Sequence, residues 1–144
     1  MVDKSGFDLR RAPEMTLALG ALHEYALTNG DFIVSSLNYR WKDDYCVQGN
    51  NFKAIEAHYG ANPACNKAHG IIDASISYET ENWRLSLFGK NLGDEDYLLH
   101  FLDVASSVNA TSASDSTPVY VPGLWSFGTV NRPRYFGVEF EAKF

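Results

Sequence analysis

Apolar and polar residues alternate with a period of two through long segments of the chain, and this alternation limits the fold more than any other feature. In residues 14–28, Leu17 and Leu19 belong to an apolar row and Thr16 and Glu24 to the opposite row, with Leu22 as an exception. A helix would instead place apolar residues at i, i+3, i+4 and i+7. The alternation therefore predicts a β-strand with one apolar and one polar face.

Four further segments show the same pattern. Asn29-Gly30 is a strong hairpin signal because both positions tolerate positive φ, and Glu81-Asn82 is a second tight turn. The second predicted strand spans about 15 residues, whereas five or six are usual in globular proteins. The predicted class is an all-β, antiparallel, up-and-down meander of about five long strands, at residues 14–28, 31–45, 69–80, 83–92 and 134–144.

The connections alternate between short and long. Residues 46–68 and 98–133 lose the alternation and are predicted to be long, irregular loops. Short turns at one end and long loops at the other are typical of bacterial outer-membrane barrels. Aromatic residues make up 14% of the chain, and several are predicted to form interfacial girdles at the strand ends. These are Tyr25 and Trp83 near the short turns, and Tyr39, Trp41 and Tyr45 near the far end.

Several function classes are excluded by what the sequence lacks. The net charge is −6 and no run of Lys or Arg occurs, so a nucleic-acid partner is not expected. No stretch of about 20 apolar residues could form a membrane helix. The nucleotide-binding and hydrolase motifs with a known mechanism are absent from the sequence, so we expect no enzyme and no cofactor. At 144 residues, one domain over residues 1–144 is the default.

Three stretches carry a resemblance to a known family. They read APE at residues 12–14, WRLSLFGKNLGDEDY at residues 83–97, and PRYFGV at residues 133–138 leading to a terminal Phe144. The second is the most specific, with its Gly-Lys-Asn-Leu followed by Asp-x-x-Tyr. Together they resemble the C-terminal part of the β-barrel of TonB-dependent outer-membrane receptors, over most of residues 12–144 outside the loops.

The resemblance implies a 22-stranded transmembrane barrel with an N-terminal plug in its lumen. It implies TonB-dependent uptake of a scarce nutrient, such as siderophore uptake of iron, in the bacterial outer membrane. The implied partners are the remainder of the barrel and the plug, membrane lipid and the outer-membrane assembly machinery. This sequence shows no plug, no TonB box and no signal peptide, and single-chain barrels need an even number of at least eight strands. We therefore expect a C-terminal fragment that is not active alone and meets TonB only through the missing plug.

The resemblance also suggests roles for particular residues. The last strand is similar to the signal that the assembly machinery reads, carried by Phe136, Val138, Phe140 and Phe144. The aromatic residues of the long loops either contact a ligand or pack among the loops, and these are Tyr59, Tyr120, Trp125 and Phe127. The residues predicted to face lipid are Leu17, Leu19, Leu37, Ile72, Ile76, Leu85, Leu87, Val138 and Phe140.

The two cysteines, Cys46 and Cys65, flank one long loop. A disulfide is favoured if that loop reaches an oxidising compartment. The alternative is a metal site with His58 and His69, but the spacings differ from those of zinc motifs. We therefore expect no metal.

For the remaining polar residues, the sequence predicts structural roles. The acidic runs at residues 43–44 and 94–96 are read as solvated loops, and no catalytic residue is expected. Asp73 is predicted to face the lumen and His23 to lie in an interfacial girdle.

Two other folds stay open. The first is a soluble β-sandwich that acts as a ligand-binding module, in which the apolar rows pack between two sheets. The second is a small closed barrel, which would need at least three more strands within the long loops.

Overall fold

The computed structural model describes residues 11–47, 64–104, 107–112, 115–121 and 125–143, with side chains described outside residues 103–125. This part of the chain contains no helix, and hence none long and apolar enough to cross a membrane. The strands are, in chain order, β1 Thr16–Ala26, β2 Phe32–Lys42, β3 Tyr45–Cys46, β4 Cys65–Asn66, β5 His69–Glu79, β6 Trp83–Lys90, β7 Leu98–Val104, β8 Ser107–Ser112, β9 Asp115–Val121, β10 Trp125–Val130 and β11 Tyr135–Ala142.

The chain divides into two units. The sheet unit comprises Met15–Asp43, Ala68–Asp96 and Arg132–Phe144, and the loop unit comprises Met1–Glu14, Asp44–Lys67 and Tyr97–Asn131. The sheet unit is one antiparallel sheet of five strands in the order β1-β2-β5-β6-β11. The predicted all-β, antiparallel class is thus confirmed, and each of these strands lies within one of the five ranges predicted from the alternation.

Both long connections leave the same end of the sheet. Lys42 at the end of β2 pairs with His69 at the start of β5, and Lys90 at the end of β6 pairs with Tyr135 at the start of β11. The two short turns join strand ends at the opposite end. The alternation of long and short connections in the sequence is therefore an alternation between the two ends of one sheet.

The turn at Asn29-Gly30 is one residue longer than the two-residue turn predicted. The Leu27 N–H donates to the Asp31 carbonyl at 2.8 Å, which leaves three residues in the loop. Gly30 has φ +89° and its N–H donates to the Leu27 carbonyl at 3.1 Å. A three-residue hairpin loop needs a left-handed residue at this point, and Gly adopts that conformation without strain. At the other turn the Thr80 N–H donates to the Trp83 carbonyl at 2.9 Å.

The prediction that residues 98–133 are irregular is wrong. They contain β7 paired with β10, and β8 paired with β9, as two antiparallel two-stranded sheets. The ladder of each pair shifts register once, and these shifts disturb the alternation from which strands are read. The loop at residues 46–68 also has short strands at its ends, β3 paired with β4, while residues 48–63 lie outside the described part.

The extra strands do not form a small closed barrel with the five-stranded sheet. They pair only among themselves, and none joins the five-stranded sheet within the described residues. In the same residues, β1 and β11 each pair on one side, so the sheet is open.

Candidate functional site

The five-stranded sheet has one apolar and one polar face, because directly paired residues of antiparallel strands point to the same side. The register places all nine residues that were predicted to face lipid on one side, here called the apolar face. Eight of the nine are exposed, with Leu37 at 51% and Ile76 at 50%, and only Ile72 is half-buried. Contact of these residues with lipid stays a prediction.

Burial in this unit is the reverse of that in a soluble domain. Among the described residues, the only buried apolar side chains are Val47 and Ala64, both in the loop unit. The sheet unit instead buries polar side chains such as Asp73, Ser77 and Ser86. A soluble monomer rarely exposes an apolar patch larger than a few hundred Å². A five-stranded face with eight exposed apolar side chains is therefore unusual for a soluble monomer.

Aromatic side chains lie at both ends of the apolar face. Tyr25 and Trp83 lie near the short turns, and the ring of Trp83 lies 5.4 Å from that of Tyr78. Tyr39 and Trp41 lie toward the other end. Each of β1, β2 and β5 has 11 residues, which matches the roughly 9–11 residues of a transmembrane strand.

On the polar face, serine hydroxyls join neighbouring strands. The Ser36 and Ser75 hydroxyls lie 2.7 Å apart, and the Ser77 hydroxyl donates to that of Ser86 at 2.9 Å. Arg84 donates to the Ser77 hydroxyl at 3.3 Å. Each buried hydroxyl thus has a partner, as burial of a polar group requires.

Phe88 is one of the aromatic residues on the polar face, together with Phe32 and Tyr135. Its ring covers Gly137 of the neighbouring strand, where a Cβ would collide with it. It also meets Tyr135 edge-to-face at 6.2 Å. The glycine in the PRYFGV stretch is therefore needed for close packing of this ring.

Asp73 is the centre of a charged cluster on the polar face. Its Oδ2 lies 2.9 Å from Arg40 Nη2 and 3.5 Å from Lys90 Nζ, while its Oδ1 accepts the Asn91 N–H at 3.0 Å. The residue is only 7% exposed. A buried carboxylate of this kind requires such partners to offset its lost hydration.

The most specific sequence motif folds into a hydrogen-bonded corner after β6. Asn91 has φ +51° and donates its side-chain amide to the carbonyls of Glu95 and Arg132 at 2.9 and 3.1 Å. Asp94 accepts the Arg134 N–H at 2.8 Å. The acidic run at residues 94–96 thus includes a carboxylate that joins this corner to the start of β11.

The loop unit is held by a disulfide and by one asparagine. Cys46 and Cys65 are joined by a disulfide between directly paired residues of β3 and β4. Sulfur atoms in a disulfide are not available as thiolate ligands, which argues against the zinc alternative. His58 lies outside the described residues, within which no group of three metal-ligating side chains occurs.

Asn66 connects this disulfide hairpin to β7. Its side chain donates to the Leu98 carbonyl at 3.0 Å and accepts the Leu98 N–H at 2.7 Å. Burial raises the pKa of the neighbouring Tyr45, and a side-chain hydrogen bond with Asn66 opposes that rise. Nearby, Tyr97 and Asn131 exchange hydrogen bonds of 2.8 and 3.0 Å.

The structure divides the predicted ligand-contacting aromatics between two small sheets. Phe127 is 47% exposed in β10, which begins at Trp125, whereas Tyr120 lies in β9 of the other hairpin. Tyr59 lies outside the described residues. The structure therefore places Tyr120 in a different sheet from Trp125 and Phe127.

Three of the four residues predicted as an assembly signal lie on one row of β11. Phe136, Val138 and Phe140 are 70%, 66% and 65% exposed on the apolar face. Phe144 lies outside the described residues. The row is accessible along an edge strand, where a partner strand could reach it.

The sequence reading missed the cluster of Arg40, Asp73 and Lys90. Each was visible on the polar row of its own strand. Their meeting depends on the register across the long connection between β2 and β5, which the sequence does not reveal.

Comparisons with protein-family models, curated proteins and solved structures found no match.

Proposed function

We propose that this chain is a segment of a TonB-dependent outer-membrane receptor, a gated channel that takes up a small nutrient such as an iron chelate. The observation that carries the proposal is the reversed burial of the sheet unit. Its apolar face is exposed across five strands, and its polar face is internally hydrogen-bonded. In a bilayer barrel the first face contacts lipid and the second faces the lumen.

The open edges of the sheet support a role within a larger barrel. Within the described residues, β1 and β11 each have one strand neighbour. Each unpaired backbone group in hydrocarbon costs several kcal/mol, so only closed sheets span a bilayer. In this proposal further strands of the receptor barrel pair with β1 and β11 and remove both edges.

The loop unit supplies the extracellular part of the receptor in this proposal. Its segments connect strand ends at the end of the sheet opposite the short turns. The disulfide between Cys46 and Cys65 is consistent with an oxidising exterior. Phe127 is the described loop aromatic that is exposed enough to contact a ligand.

The terminal strand acts in assembly in this proposal. Deletion of Phe144 from the complete receptor is expected to lower the assembled amount without changing the ligand affinity of assembled molecules. The alternative role for Phe144 is that of a simple anchor in the membrane interface. Phe144→Tyr separates this role from recognition by the assembly machinery, because an interfacial anchor tolerates tyrosine. Equal assembly of the deletion variant and the parent contradicts the role in assembly.

The proposal is tested by whether the chain stays dispersed in water without detergent or lipid. The 144-residue chain is expected to need detergent or lipid to stay dispersed, and tryptophan fluorescence should shift to the blue on transfer to lipid vesicles because Trp41 and Trp83 lie on that face. A soluble monomer that unfolds cooperatively in plain buffer would contradict the proposal and favour the β-sandwich.

A further inference from the structure

The charge at Asp73 is not balanced. Both of its oxygens are occupied, Oδ2 by Arg40 and Lys90 and Oδ1 by the Asn91 N–H. One carboxylate therefore serves two cations, and the group carries a net charge of +1. The peptide N–H adds no charge but fixes the carboxylate in place.

An open depression lies beside these cations on the polar face. It has a volume of about 400 Å³ and is lined by Ala18, Gly20, Asn38, Arg40, Asp73 and Lys90, among others. In the register of β1 and β2, Ala18 is opposite Arg40 and Gly20 is opposite Asn38. The depression exists because Ala18 and Gly20 have little or no side chain at the positions of β1 that pair with Arg40 and Asn38 of β2.

The cations are accessible although their partner is not. The side chains of Arg40 and Lys90 are 61% and 43% exposed, whereas that of Asp73 is 10% exposed. A guanidinium has five N–H donors and an ammonium has three, so both retain donors after binding Asp73. An arginine can form two parallel bonds to a carboxylate or phosphate, which are stronger than neutral hydrogen bonds.

We propose that this depression binds a small anion bearing a carboxylate or phosphate group. Arg40 and Lys90 donate to the anion, and Asp73 is a positioning residue that holds both cations beside the depression. The inference requires only that water reaches the polar face, and does not depend on insertion in a membrane. Its failure is therefore distinguishable from failure of the proposed function.

The test is a calorimetric titration of the 144-residue chain, in whichever buffer or detergent disperses it. Inorganic phosphate and citrate are titrated separately at constant ionic strength, which separates a preference for phosphate from one for carboxylates. Loss of a charge-assisted contact is expected to weaken binding by about tenfold or more, so Arg40→Gln and Lys90→Gln should each show such a loss.

Arg84→Gln is the matched control. It removes the same charge from the same face, but the charge of Arg84 is balanced by one carboxylate, with Arg84 Nε 3.1 Å from Glu79 Oε1, whereas Arg40 and Lys90 share the carboxylate of Asp73. Affinity should therefore be unchanged. Ala18→Asp leaves both cations in place but adds a carboxylate to the depression, opposite Arg40. This variant should abolish anion binding.

Three results would overturn the proposal. The first is the absence of binding by the parent chain at about 1 mM anion, a very weak affinity. The second is an equal loss in Arg40→Gln and Arg84→Gln, which would indicate diffuse attraction by the whole face. The third is unchanged affinity in Ala18→Asp, which decides the question if the other variants fail to fold.

Discussion

Replacement of Leu37 by arginine should destabilise the inserted sheet strongly. Leu37 lies on the apolar face, pairs with Ala21 near the middle of β1, and is 51% exposed. In the proposed barrel this position lies near the bilayer midplane. The guanidinium of Leu37→Arg would then be placed in hydrocarbon, where no water hydrates it.

The expected magnitude follows from the depth and the exposure of this residue. Complete burial of a leucine side chain contributes about 1.5–3 kcal/mol, so the exposed half of Leu37 contributes roughly 1 kcal/mol when lipid covers it. Arginine at the midplane of an outer-membrane barrel costs about 2–4 kcal/mol in total. The larger part of the effect therefore comes from the desolvated charge.

Leu22 offers a control at the same height in the sheet. It pairs with Ser36, the neighbour of Leu37 in the chain, and belongs to the polar face with 74% of its surface exposed. Because the polar face contacts water in the proposed barrel, Leu22→Arg should change the free energy of unfolding by less than about 0.5 kcal/mol. Urea titration in lipid vesicles of the assembled receptor measures both variants. Equal effects at the two positions would refute the assignment of the faces.

Three further predictions concern the loop unit. Replacement of Cys46 and Cys65 by serine releases a cross-link that spans 19 residues, so it should lower stability by about 3 kcal/mol and speed proteolysis of this unit. Asn66→Ala leaves both backbone groups of Leu98 without that partner and should cost about 1–3 kcal/mol, measured by hydrogen exchange. Burial raises the pKa of Tyr45 above 10.0, so its neutral form stabilises the fold fully below pH 10 and that contribution is lost as the pH rises through the folded pKa. Tyr45→Phe should therefore lose less stability in alkaline solution than the parent does, and an equal loss would contradict this.

The sheet was predictable from the sequence because its signal is local. Alternation over 11 residues defines a strand and its faces without knowledge of the partner, and the turn residues define the hairpins. Leu22 is the apolar exception in the polar row of β1, and its pairing with Ser36 confirms that it lies on the polar face. The five strands can therefore be located without knowledge of their pairing.

The loop unit was not predictable because its strands depend on remote partners. Leu98 in β7 pairs with Val130 in β10, with the β8-β9 hairpin between them in the chain. The register shift at Thr129 and Val130 interrupts any alternation. Composition rich in Ser, Ala and Thr then suggests an irregular loop even where backbone pairing forms strands.

The charged cluster was hidden for a similar reason. Arg40 and Asp73 are 33 residues apart in sequence, and the pairing of β2 with β5 across a long connection brings them together. Asn91 completes the cluster through a backbone N–H at a left-handed position. No pattern of residue types identifies that contact in advance.

A nitroxide scan along β2 in lipid tests whether the apolar face contacts lipid. Single spin labels at successive positions 33–41 report contact with oxygen, which concentrates in lipid, and with a water-soluble nickel chelate. We expect a period of two, with oxygen accessibility highest at odd-numbered positions such as Leu37 and nickel accessibility highest at even-numbered positions such as Asn38. Uniform accessibility to the nickel chelate, or protection from both reagents at the odd positions as in a sandwich core, would contradict the claim that this face contacts lipid.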